Sequence, residues 1–424
     1  MKRRMSREEY YRRKRLQRRR IFWFIIVPLI IVIALGIFGV HSLMGKFGGN
    51  DAPPVSAGGT EQESQTDAEA EETQKASDQR LDRIIEEMNL HDKVCQLFIV
   101  TPEELTGSEG AVTAAGDVTR GRLKEYPVGG MIYFAQNMVN KEQTESMITH
   151  IQSFAKDDEG IPLFISVDEE GGKVARAADS LGTTKFNPMY TYRSKGASTA
   201  RDNAKTIASD LSSLGFNLDF APVADTWSNP ENTVIGQRAY SDDYSEAAEL
   251  VAAAVKGFHS GGVACTLKHF PGHGDTAEDT HEGAAYVDKS LEQLKTEDFI
   301  PFMAGIKAGA DMVMVGHITV PSIDTVPATL SSVVIQDVLR KDLGFKGVVI
   351  TDALNMGALA NTYSQADAAL KAFQAGNDIL LCTGDLEGAV QALENAVNTG
   401  VITEEQVDQS VKRILKLKID RGIL

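Results

Sequence analysis

The residues with the densest capacity for chemistry run from Lys268 to His281, Lys-His-Phe-Pro-Gly-His-Gly-Asp-Thr-Ala-Glu-Asp-Thr-His, and gather three of the chain's eight histidines with three carboxylates. Pro271, Gly272 and Gly274 make this stretch a loop in place of a helix or strand. It follows the apolar run Gly262 to Leu267, and polar groups massed where a buried strand ends are costly unless they do something. Three readings fit. His269 and His273 stand four apart, as zinc ligands do on a metalloprotease helix, but here Pro271 and Gly272 intervene and the expected Glu is missing. The histidines could simply be hydrogen-bonded inside a packed loop. Acid–base work is the third: Asp279 and His281 are two apart, so in extended backbone both side chains leave the same side. A carboxylate so placed holds the imidazole's tautomer and favours its charged form.

The motif Lys268-His269-Phe270-Pro271-Gly272-His273-Gly274, with Asp279-Thr280-His281 shortly after, resembles the β-N-acetylglucosaminidase branch of glycoside hydrolase family 3. In that branch the histidine of an Asp-x-His pair is the general acid/base, so the resemblance makes His281 the proton donor, assisted by Asp279. Thr351-Asp352-Ala353-Leu354-Asn355-Met356 resembles the family's nucleophile segment. Asp352 is therefore the expected nucleophile, its ordinary alternative being a helix N-cap. The resemblance also implies sugar-binding roles for Asp168 and Arg176, which flank Gly171-Gly172, for Arg238 in Ile235-Gly236-Gln237-Arg238, and for Lys268 and His269. Asp168 and Arg176 could otherwise form a structural salt bridge. Asp219, Asp225 and His317 read as residues that orient their neighbours. Glu169, Lys173 and Ala239-Tyr240 depart from the family pattern as positions that could shift aglycone preference.

Such residues need a scaffold that brings distant segments to one place. Eight apolar runs recur: Val94 to Val100, Gly130 to Phe134, Leu163 to Val167, Phe216 to Phe220, Val263 to Leu267, Met312 to Val315, Val348 to Ile350 and Asp378 to Leu381. Between them lie stretches of helical periodicity, among them Lys141 to Ala155, Ala197 to Leu214, Ser245 to Ser260, Leu291 to Ala308 and Ser332 to Leu343. The alternation predicts an α/β chain with a single (β/α)8 TIM-type barrel. A doubly wound sheet is the rival, and no Gly-rich dinucleotide fingerprint follows any of these runs. The polar clusters follow the third to seventh runs, where a barrel carries its reactive groups.

The remaining segments differ in material. Residues 1–20 hold eleven Lys or Arg and two acids, and Ile21 to Val40 holds no charge. An apolar run of that length spans a bilayer core, and basic residues before it place the N-terminus in the cytoplasm. We therefore expect a basic cytoplasmic segment at 1–20, a single-pass membrane anchor at 21–44, a disordered linker at 45–78 and an extracellular catalytic barrel at 79–424. The net charge is −16, and beyond residue 20 the chain carries 32 Lys plus Arg against 57 Asp plus Glu. That surface repels nucleic acid. Cys95, Cys265 and Cys382 are odd in number and lie in apolar runs, which reads as core packing without a disulfide framework.

By resemblance the expected reaction is retaining hydrolysis of terminal N-acetylglucosamine from cell-wall glycans, through a covalent glycosyl-enzyme and without metal or organic cofactor. Three rivals remain. A histidine acid/base would not repel phosphate, so phosphorolysis to N-acetylglucosamine 1-phosphate is one. The β-glucosidase branch is the second, although it generally takes its acid from a further domain. The third is a catalytically dead wall-binding module, which would lack at least one of Asp279, His281 and Asp352.

Overall fold

The computed structural model describes residues 78–280 and 283–424. The expected basic segment, the membrane anchor and the linker up to Ser77 lie outside the described residues, as does His281; Asp78, assigned to the linker, is already helical. Among the described residues no helix is long and apolar enough to cross a membrane.

Eight parallel strands form the frame: β1 Phe98–Val100, β2 Gly130–Ile132, β3 Phe164–Val167, β4 Leu218–Asp219, β5 Ala264–Phe270, β6 Met312–Val315, β7 Val348–Thr351 and β8 Leu380–Leu381. Each pairs with its predecessor from β2 to β7, and β8 pairs with β1. A lone bridge between Ile350 and Ile379 joins β7 to β8, through Thr351 N–H to Ile379 O and Ile379 N–H to Val349 O. The result is a nearly closed eight-stranded parallel barrel, consistent with the expected (β/α)8 architecture. Strands covered on both faces read as unbroken apolar runs, which is why they stand out without alternation.

A helix follows each strand: α1 Asp117–Glu125, α2 Lys141–Asp158, α3 Ala197–Ser213, α4 Tyr244–Ser260, α5 Phe299–Lys307, α6 Val333–Asp342, α7 Gln365–Ala375 and α8 Leu386–Asn398; α9 Glu404–Asp420 follows. Their starts are written locally. Asn140 accepts from Gln143 N–H, Asp243 from Ser245 and Glu246 N–H, Ser364 from Asp367 N–H and Asp385 from Gly388 N–H, each supplying orphan donors of a first turn.

Several local expectations need correction. Val94 and Cys95 belong to a short helix, Leu90–Cys95, because Asn89 caps it by accepting from Asp92 N–H. The helical run Leu291 to Ala308 breaks at Glu297 and Asp298, where the Asp298 carboxylate turns to Lys289 Nζ at 2.6 Å. The run Ser332 to Leu343 winds as a π-helix over Val333–Asp342. Most important for the site, β5 does not stop at Leu267. Lys268, His269 and Phe270 are its last residues, with a register shift against β6 between Leu267 and Phe270. A buried strand can carry these polar groups because each meets a carboxylate.

Candidate active site

The C-terminal ends of β3, β4, β5 and β7 converge on one rim, and a chain of alternating charges ties three of them together. Asp168 and Glu170 follow β3 and are two apart. Lys268, in β5, extends Nζ to Asp168 Oδ1 and Glu170 Oε1, both at 2.7 Å. Arg238 sits on the turn Gly236–Arg238 after β4 and grips Glu170 with two parallel bonds, Nε to Oε2 and Nη2 to Oε1, each 2.8 Å. Glu170 is buried, and burial alone would raise its pKa. The charges and hydrogen bonds of Arg238 and Lys268 outweigh that and hold the carboxyl well below its ordinary range, while the Asp168 and Glu170 carboxylates raise the pKa of buried Lys268.

Arg176 opens a short helix, Arg176–Leu181, beyond a hairpin that turns at Gly171 and Gly172. Both glycines have positive φ, 80° and 68°, and a Cβ on Gly172 would lie 2.5 Å from Pro188 Cα. The hairpin can therefore press against the Pro188 segment. No Asp168–Arg176 ion pair forms. Asp168 is engaged with Lys268, whereas Arg176 Nε is buried without a hydrogen-bond partner, and its guanidinium lies 5.6 Å from the Phe134 ring centroid.

His269 is held from behind. Asp225, fully buried after β4, accepts from the His269 backbone N–H at 3.1 Å and from its Nδ1 at 2.7 Å, and its other oxygen accepts from His273 N–H at 2.7 Å. The Nδ1–H to Asp225 bond leaves His269 Nε2 as the outward atom. One carboxylate thus orients both histidines of the loop.

Asp352 follows β7 and keeps part of its surface accessible. Burial works against its charge, but His317, His269, the Ala353 N–H at 2.8 Å from Oδ1, and Lys268 together hold its pKa below the ordinary carboxylate range. The next helix begins at Gly357 with Met356 as its cap, so Asp352 does not serve as a helix cap. His317 is buried beside it, with Nδ1 2.8 Å from Thr329 Oγ1 and Nε2 donating to Ala353 O at 2.9 Å. An ionised carboxylate in reach of solvent, backed by three cation-capable side chains, is suited to nucleophilic attack.

Asp279 lies half-buried on the loop after β5, and its carbonyl accepts from Gly283 N–H. Glu169 is not available for chemistry: its carboxylate accepts from Ala177 and Ala178 N–H, and burial raises its pKa to about 7. Ala239 and Tyr240 are buried in apolar clusters and Lys173 is exposed, so none of these three departures touches the charge chain. For metals, the described residues offer one converging group, His259, Cys265 and Asp311, with ligand atoms within 4.8 Å of one another. Arg421 fills that space, its guanidinium bonded to Asp311 Oδ1 and facing His259 Nε2.

Sequence reasoning missed the centre of the charge chain, Glu170. The available signal was the two-residue spacing from Asp168, which puts both carboxylates on one side of an extended segment.

Residues 89–417 match the Glycosyl hydrolase family 3 N terminal domain. The chain is 37% identical over 322 residues to a beta-hexosaminidase A of Pseudoalteromonas piscicida, covering 70% of this chain and 54% of that one. It is 36% identical over 290 residues to a beta-hexosaminidase of Stenotrophomonas maltophilia, covering 66% and 84%. Among solved structures it resembles a glycoside hydrolase family 3 beta-N-acetylglucosaminidase from Paenibacillus sp., with TM-score 0.74, 38% identity, and coverage of 79% of this chain and 63% of that one. A beta-N-acetylhexosaminidase from Beutenbergia cavernae aligns with TM-score 0.69 and 28% identity, over 79% and 99% of the two chains.

Proposed function

The chain belongs to glycosyl hydrolase family 3, and on that premise we propose that it removes terminal N-acetylglucosamine from cell-wall glycans with retention of configuration. The observation that carries the reading is Asp352, a carboxylate kept ionised against its own burial on the rim that also holds Asp168, Lys268, Glu170 and Arg238. Asp352 attacks the anomeric carbon, and the glycosidic C–O bond breaks as His281, assisted by Asp279, gives its proton to the leaving oxygen. Water, losing a proton to His281, then displaces Asp352. Asp168, Lys268, Arg176, Arg238 and His269 bind the sugar hydroxyls, so that binding contributes orientation. The basic head and the uncharged run Ile21 to Val40 support a membrane anchor that places this site outside the cell, next to such glycans.

The test uses aryl N-acetylglucosaminides and a natural disaccharide, with and without phosphate. Asp352→Ala should abolish turnover on all of them. His281→Ala should lose more on the disaccharide than on an activated aryl glycoside, and azide should restore its second step by replacing deprotonated water. Equal loss on both substrates without azide rescue removes His281 from the mechanism. Sugar 1-phosphate as the main product in phosphate buffer replaces hydrolysis with phosphorolysis.

A further inference from the structure

The segment before His281 is nearly all open to solvent: Ala277 and Glu278 are exposed and Asp279 is half-buried. Thr280 is the exception. It is 2% exposed and is fastened at two points. Its carbonyl accepts from Ala358 N–H at 3.2 Å, in the short helix Gly357–Ala360 that follows Asp352. Its hydroxyl lies 3.3 Å from His273 Nε2.

The proton positions follow from the neighbours. Thr276 Oγ1 donates its one hydrogen to a carbonyl, His273 O at 3.0 Å, and accepts from Asn232 Nδ2 at 3.2 Å. It can then only accept from His273 Nδ1, 2.7 Å away, so that nitrogen carries the proton. Burial and the neighbouring His269 both lower the His273 pKa, which keeps the ring neutral. Nε2 is then a bare acceptor, and the Thr280 hydroxyl donates to it. His273 is itself tied to Asp225 through its backbone N–H, and Asp225 also holds His269.

We propose that His273 and Thr280 are positioning residues that dock the acid/base segment onto the barrel mouth, linking Asp225 beneath the sugar-binding strand end to the chain immediately before His281. The role rests on the reading of His281 as the acid/base. Neither residue exchanges a proton with substrate. Their work is geometric, in that the Thr280 side-chain bond and its backbone bond to Ala358 confine the residue that immediately precedes His281.

The experiment compares Thr280→Val, which keeps shape and loses the donor, with Thr280→Ser, which keeps the donor. kcat/KM is measured on N-acetylglucosaminides with a dinitrophenyl, a nitrophenyl and a sugar leaving group, because it reports the step that needs the acid. Thr280→Val should lose roughly ten- to a hundredfold on the sugar leaving group and less than about threefold on dinitrophenyl, with KM nearly unchanged. Thr280→Ser should stay close to the unaltered protein. A Glu-specific protease followed by mass measurement should cut faster after Glu278 or Glu282 in Thr280→Val, at an unchanged melting temperature. Equal loss across leaving groups, or no rescue by Ser, overturns the proposal and leaves the hydrolase reading standing. Failure of the unaltered protein to cleave any of these glycosides overturns both.

Discussion

Replacing Glu170 with Gln removes one charge from a chain in which buried Lys268 and Arg238 share it. Glu170 receives three charge-assisted hydrogen bonds, at 2.7, 2.8 and 2.8 Å, with its side chain 2% exposed. A Gln oxygen at the Oε1 position still accepts from Lys268 Nζ and Arg238 Nη2, but the NH2 then faces Arg238 Nε, donor against donor, and of the two desolvated cations only Lys268 keeps a carboxylate partner, Asp168. Breaking a buried pair in this way costs about 3–5 kcal/mol, which should lower the melting temperature by at least ~5 °C. The two cations we propose as sugar ligands lose their seat as well, so kcat/KM should fall on the order of 10²-fold, the scale of an ångström-sized misplacement. The pH dependence has a definite sign. The folded pKa of Glu170 is below that of the unfolded chain, near ~4.3, so its stabilisation is complete above that pH and is lost as pH falls toward the folded value. The melting-temperature gap between the natural protein and Glu170→Gln should therefore be constant from pH 5 to 8, and it should narrow on acidification below about pH 4. A gap that widens on acidification, or a cost below about 1 kcal/mol, would refute the claim that this carboxylate organises the rim.

Two further outcomes concern the barrel itself. Lys418, on α9, is fully buried with Nζ 3.1 Å from Gln96 Oε1 and 5.2 Å from the Phe164 ring centroid, and burial lowers its pKa to about 7. Between there and the unfolded value near ~10.4 the unfolded chain binds more protons, so the stability this group contributes rises with pH; Lys418→Met should raise the melting temperature at pH 6–7, with the gain shrinking toward pH 10. Gly274 stands where a Cβ would meet Thr226 O at 1.8 Å, so Gly274→Ala should displace the β5 loop from the β4 loop at a cost of roughly 1–3 kcal/mol, read as a lower melting temperature together with lost turnover.

By itself the amino-acid sequence determined the eight strands, because a strand covered on both faces must be apolar along its length, and it marked Asp352 and the Lys268–His281 stretch as polar groups too costly to stand at strand ends without purpose, whereas Asp168 and Arg238 stood out through the resemblance to a known family. It could not determine who partners whom. Lys268 meets Asp168 from 100 residues away and Asp225 meets His269 from 44, and each distance is set by barrel closure, which no local spacing encodes. The loop expected to begin at Lys268 begins after Phe270 for the same reason: Lys268 and His269 can lie in a buried strand only once the β3 and β4 carboxylates are beside them. Tertiary structure also assigned Glu170 its place at the middle of the charge chain and Glu169 its place on backbone N–H groups. Two adjacent glutamates look alike in sequence. In an extended segment they face opposite ways, and only the fold decides that one meets Lys268 and Arg238 while the other meets the start of a helix.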